Sequence, residues 1–237
     1  MSAPAHPVTA YVINYNAGTV TPVNTATNTA LKAIPVGRSP FAIAVTPDGK
    51  TVYVNGESAP GGTWGVTPIS TATNKAGKVI GIPQEPYAFA ITPNGRTAYV
   101  TGSAGVTPVS TTTNRAGTAI KTGQVAIAIT PNGKILYAYS DRYGTVTPIP
   151  TATNKPGKPI KVGTGIHPNS YAPPYIAITP DGRTVYVSTP GSGVTPVSTA
   201  TGKVGRTFDV IGGEGGGPMA ITPALRHIPP VPSGFQP

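Results

Sequence analysis

Two short motifs recur along the whole chain, and their spacing restricts what it can fold into. One reads A-I-A-[IV]-T-P-[DN]-G-[KR]-T-x-Y-V and occupies 42–54, 88–100, 126–138 and 175–187 with small variations. The other reads V-T-P-[IV]-x-T-x-T-N and begins at Val20, Val66, Val106, Val146 and Val194, the last copy ending in Gly202 instead of Asn. Successive starts of the second motif are 46, 40, 40 and 48 residues apart. Such a chain is a series of copies of one small unit, each unable to bury its apolar surface alone.

Each unit reads as four short strands. Residues 42–46 alternate small and large apolar side chains, and Pro47-Asp48-Gly49-Lys50 supplies a tight turn. Residues 51–55 are β-branched and aromatic, as strands prefer. A Gly-rich connection leads to a third strand at 65–69, and Thr and Asn at 70–74 make a second turn. A fourth strand is expected at 78–81. Four strands at a period near 40–45 describe a propeller blade, so the expected fold is an all-β propeller of four-stranded antiparallel blades.

The segments Tyr53-Val54-Asn55, Tyr99-Val100-Thr101 and Tyr11-Val12-Ile13-Asn14, set beside T-P-[DN]-G-[KR], resemble the YVTN repeat family of β-propellers over residues 9–223. The resemblance implies a bacterial or archaeal protein, secreted or in a surface layer, with a binding role. Propellers of this general kind also include lactonases and lyases.

The two ends complement each other in register. Residues 9–14, 19–23 and 30–36 match the second, third and fourth strands of a unit, and the missing first strand reappears at 218–223. The expected arrangement is one propeller over 1–223 with five blades, the C-terminal strand joining the N-terminal blade. The blades are 9–40 plus 218–223, 41–86, 87–124, 125–174 and 175–217, followed by a Pro-rich tail at 224–237. YVTN propellers usually have seven blades, so the alternative is a piece of a longer ring.

Composition narrows the chemistry. The chain has 237 residues with 30 Gly and 29 Pro, too much Pro for a helical bundle. There is no Cys, which excludes disulfides and thiol catalysis, and no apolar run long enough to be a transmembrane helix. Gly49-Lys50-Thr51 ends like a phosphate-binding loop, but Ala44 stands where the first Gly belongs, and the segment is a hairpin. The Gly run at 212–217 opens no helix, and no G-x-S-x-G or paired-His motif occurs. No catalytic residue, metal site or cofactor is expected.

Strand order divides the remaining candidates between two faces. The first–second and third–fourth turns share one face. They carry Lys50, Arg96, Lys134 and Arg183 after the T-P-[DN]-G turn, and Lys75, Arg115, Lys155 and Lys203 after the Thr/Asn turn. Asp48 and Asp181 offset this ring in two blades, and Asn94 and Asn132 replace them in two others. An anion would bind here. The opposite face collects the irregular loops: Glu57 and Trp64, Glu85 and Tyr87, Asp141, Arg142 and Tyr143, then His167, Tyr171 and Tyr175 in the longest insertion. Variable loops on a rigid scaffold are where binding tends to reside, and aromatic residues with a few carboxylates suit a glycan or protein.

The sequence therefore points to a monomeric, non-enzymatic propeller that binds a protein or glycan through its loop-rich face. A lactonase-like or lyase-like hydrolase and a basic module docking on polyanions are the alternatives; the formal charge is +10, with no specific nucleic-acid motif. The resemblance implies an extracellular or surface location. Residues 1–10 have neither a basic stretch nor an apolar core of signal-peptide type, which leaves a cytoplasmic location open.

Overall fold

The computed structural model describes residues 8–57, 63–102, 105–122, 126–164, 175–189 and 193–209, with Met219 and Ile221. Within these residues it is all β and forms five antiparallel sheets. The second sheet shows the full unit: Ile43–Val45, Thr51–Glu57, Trp64–Ser70, Lys75–Ala76 and Ile80–Gly81. Its strands pair in chain order, and the Thr51–Glu57 to Trp64–Ser70 ladder runs unbroken from Thr51↔Ser70 to Glu57↔Trp64. The third, fourth and fifth sheets repeat this order from Pro86–Ile91, Ala126–Ile129 and Tyr175–Ile178. These first strands pack against one another from sheet to sheet, which makes them the inner strands.

The outer strand differs from the sequence expectation. It is not one run at 78–81 but two short pieces, Lys75–Ala76 and Ile80–Gly81, both paired with Trp64–Ser70. Pro68 is the reason. Its carbonyl accepts from Gly77 N–H at 2.7 Å, so its nitrogen faces the outer strand too, and that nitrogen has no hydrogen to donate. Thr67 and Pro68 are therefore opposed by three residues, 77–79, which bulge outward. The bulge begins with Gly because a Cβ there would sit 3.2 Å from Pro68 Cγ. Pro108 with Gly117 and Pro148 with Gly157 repeat this geometry.

Among the described residues, the second, third and fourth sheets bury both faces against their neighbours. Val52, Val54 and Ile69 of the second sheet pack with Val20, Ile34 and Val36 of the first. Tyr53, Val66 and Ile80 on the other face pack with Ala98, Val100 and Val109 of the third. Leu136, Ala138 and Ile149 then meet Tyr99 and Val106, and Val185, Val187 and Val197 meet Tyr137 and Val146. Each fully buried Val, Ile or Leu stabilises the fold by about 1.5–3 kcal/mol, so these four layers hold the sheets in order.

The first sheet lacks an inner strand among the described residues: it consists of Thr9–Asn14, Thr19–Asn24, Thr29–Ala30 and Ile34–Pro35. Val12 is 49% exposed, whereas its counterparts Val54, Val100, Ala138 and Val187 are buried. The strand expected at 218–223 lies outside the described residues except for Met219 and Ile221, which are half-buried.

Candidate functional site

The turn face is built by one repeated device. In the first turn of the second sheet, Thr46 Oγ1 donates to Asp48 Oδ1 at 2.6 Å, and Lys50 N–H donates to the same oxygen at 3.1 Å. Asn94 does the same with Thr92 and Arg96, and Asn132 with Thr130 and Lys134. The turn needs one side-chain oxygen, which Asp and Asn both supply. In Asp48 and Asp181 the same bonds, first from the Thr hydroxyl and then from the backbone N–H, hold the carboxyl below its ordinary pKa.

A second device ties the two turns of a sheet together. Thr71 Oγ1 donates to Gly49 O at 2.7 Å, Thr151 Oγ1 to Gly133 O at 2.7 Å, and Thr199 Oγ1 to Gly182 O at 2.7 Å. Thr111 bonds Gly95 in the same way. The first and second turns of each blade are therefore neighbours. Lys50, Lys75, Arg96, Arg115, Lys134, Lys155, Arg183 and Lys203 lie on one face, all exposed.

The loop-rich face carries a cleft that the sequence does not single out. Arg38 N–H donates to Glu57 O at 2.8 Å, and Glu57 N–H donates back to Arg38 O at 2.9 Å. This bridge pins the connection between the first and second sheets against the end of a central strand. Facing it is the turn at 15–18, held close because Gly18 has φ +64 and a Cβ there would lie 2.5 Å from Gly37 O. Between them is a cleft of about 520 Å³ lined by Tyr15, Asn16, Arg38, Ser39 and Glu57. Tyr15 is 57% exposed. Ser39 has φ +47, a left-handed conformation costing a side-chain-bearing residue about 1–3 kcal/mol. Buried Asn55 holds the segment beyond it, its Oδ1 accepting from Phe41 N–H and Ala42 N–H at 3.2 and 2.7 Å.

The other loop-face candidates divide into groups. Glu57 and Trp64 are cross-strand partners, but Trp64 packs on the layer between the second and third sheets, so its ring is partly occupied. Tyr87 has its pKa raised by burial, then by Glu85 and Asp141, which places it within electrostatic reach of both acids. Arg142 lies 5.5 Å from the centre of the Tyr143 ring, and Lys161 Nζ donates to Tyr143 O at 2.7 Å. Tyr175 starts the inner strand of the fifth sheet, opposite Ser188. His167 and Tyr171 lie outside the described residues. Among the described residues, no three His, Asp or Glu side chains gather as a metal site would require.

Tyr15, Arg38 and Ser39 escape sequence reading because each sits in a connection between motifs. The one available signal is Ser39-Pro40, a turn-initiating pair in a connection that Gly37 opens.

No family model and no curated protein match the chain. Among solved structures it is similar to a chain of Kuenenia stuttgartiensis hydrazine synthase. The TM-score is 0.69 at 26% identity, over 84% of this chain and 62% of that one. It is also similar to a functionally unknown protein from Desulfotomaculum acetoxidans DSM 771, with TM-score 0.64 and 19% identity, over 84% and 65%. The chain thus spans less than two thirds of the length of either. Together with the repeated four-stranded sheets, these likenesses show a β-propeller fold.

Proposed function

We propose that this chain is a non-catalytic propeller module that binds a glycan at its loop-rich face, in the cleft between the first and second sheets. The observation that carries this reading is the composition of the cleft: an exposed tyrosine ring beside one cationic and one anionic side chain. Tyr15 offers a face for a sugar ring, Arg38 donates to hydroxyls, and Glu57 accepts from them. The strained Ser39 in the wall supports a site whose shape is maintained at a cost to stability. The resemblance to YVTN repeats supports a secreted or surface-associated protein. An enzymatic reading has one support, the fold likeness to a hydrazine synthase chain.

The test is a glycan-binding screen with the whole chain, followed by calorimetry on the best ligand. Tyr15→Ala and Arg38→Ala should each weaken binding by about tenfold or more without changing the melting temperature. Binding unaffected by both, or no saturable glycan binding, would reject the reading.

A further inference from the structure

The turn face is independent of that cleft and points to a second partner. Its eight cations occupy two radii: Lys50, Arg96, Lys134 and Arg183 on the inner turns, and Lys75, Arg115, Lys155 and Lys203 on the outer turns. Each radius uses one position of the repeat, so each charge stands at the same place on its own sheet. The hydrogen bonds of Thr71, Thr151 and Thr199 fix one radius to the other. Among the described residues almost none of this charge is neutralised. Among the described residues the one ion pair is Arg183 with Asp181, at 4.0 Å with side chains 86% and 57% exposed. Only Asp48 and Asp181 oppose the eight cations, whereas the loop-rich face holds Glu57, Glu85 and Asp141 against Arg38, Lys121, Arg142 and Lys161, close to balance. The excess of positive charge thus lies on the turn face.

We propose that the turn face docks flat on an anionic phospholipid bilayer. A linear polyanion would engage a stripe of charge. This face offers a two-dimensional array of exposed cations, and a bilayer can bring a mobile phosphate to each of them. Mutual repulsion among unpaired cations is relieved by such a surface. The described apolar side chains exposed at these turns are Val8 and Val45, too small and too few to anchor the protein by insertion, so attachment is electrostatic and reversible. Docked this way, the loop-rich face with its cleft points away from the membrane.

The experiment is co-sedimentation of the whole chain with vesicles of phosphatidylcholine alone or with phosphatidylglycerol. Binding is expected only to the anionic vesicles, and raised salt should remove it. The double variant Arg96→Glu/Lys134→Glu on the face should lose about tenfold or more. Lys32→Glu/Lys158→Glu changes net charge equally at the outer-strand bulges and should stay within about twofold. Melting temperatures of both variants confirm folding, and Tyr15→Ala should bind vesicles normally. Equal losses in the two double variants would overturn the proposal, as would failure to bind anionic vesicles. Tighter, competing binding of soluble polyphosphate would also overturn it, by making the partner a strand.

Discussion

The Tyr53 hydroxyl of the second sheet donates to Asn114 Oδ1 of the third at 2.8 Å. The contact recurs between every described pair of neighbours in which both residues are present: Tyr11 with Asn74 at 2.7 Å and Tyr99 with Asn154 at 2.7 Å. The asparagines sit at φ 51–55, where Asn is tolerated better than other side-chain-bearing residues. One residue therefore closes the turn of its own sheet and joins that sheet to the one before. Where Gly202 takes the Asn position, Tyr137 keeps only the Thr199 carbonyl, at 3.4 Å.

Tyr99→Phe should cost about 1 kcal/mol, the usual net value of a hydrogen bond. Asn154→Gly keeps the left-handed backbone and loses the same bond, so the double variant should be little worse than either single one. Urea melts of the four proteins check this; fully additive losses would mean that the bond does not couple the sheets.

Gly202→Asn should supply the missing acceptor for Tyr137. An Asn there adopts the φ that its counterparts already hold, and the expected gain is about 0.5–1 kcal/mol. A melting temperature that falls would show that the site tolerates only glycine.

Stability should decline in strong alkali. Burial raises the pKa of Tyr11, Tyr53, Tyr99 and Tyr137, and burial followed by the Asp141 charge takes Tyr139 to about 12. A raised folded pKa means that the native state holds the proton more tightly than the unfolded chain. The contribution is complete below the ordinary tyrosine value of about 10 and disappears as pH rises through the folded values. Denaturant titrations between pH 9 and about 12 should show the loss, and Tyr139→Phe should flatten it.

The acid limb has the opposite sign. Asp48 and Asp181 have lowered folded pKa values, so their contribution is present above the ordinary carboxylate range and lost as pH falls through the folded values. Asp48→Asn/Asp181→Asn should fold normally, because Asn94 and Asn132 already make this turn, and should lose less stability on acidification. Unchanged acid sensitivity would place its origin elsewhere.

The two array ends carry the unmatched halves of the repeated contact. Tyr186 has no acceptor among the described residues, and Asn28 holds φ 53 with no tyrosine on it. If the fifth sheet packs on the first, Tyr186→Phe and Asn28→Gly should be coupled by about 1 kcal/mol in a double-mutant cycle. Deleting 218–237 should then lower the melting temperature sharply. Independent effects and an unchanged melt would mean that other sheets stand between these ends.

Much of this architecture can be read from residue order. The alternation at Thr51–Glu57, the T-P-[DN]-G turn and the common period specify which segments pair, because those contacts are local and hydrogen-bonded in chain order. The same logic places eight cations on one face. The split outer strand depends on Pro68 facing outward instead of inward, which only the register of the pair decides. The cleft is further from reach: Arg38 and Glu57 belong to different repeats of the pattern and meet through a single backbone bridge. Tyr53 and Asn114, 61 residues apart, meet only after two sheets stack. Periodicity encodes pairing within a sheet, whereas contacts between sheets depend on side-chain packing at the layers that join them. There the tertiary structure alone brought the tyrosines to their asparagines and Tyr15, Arg38 and Glu57 to one cleft.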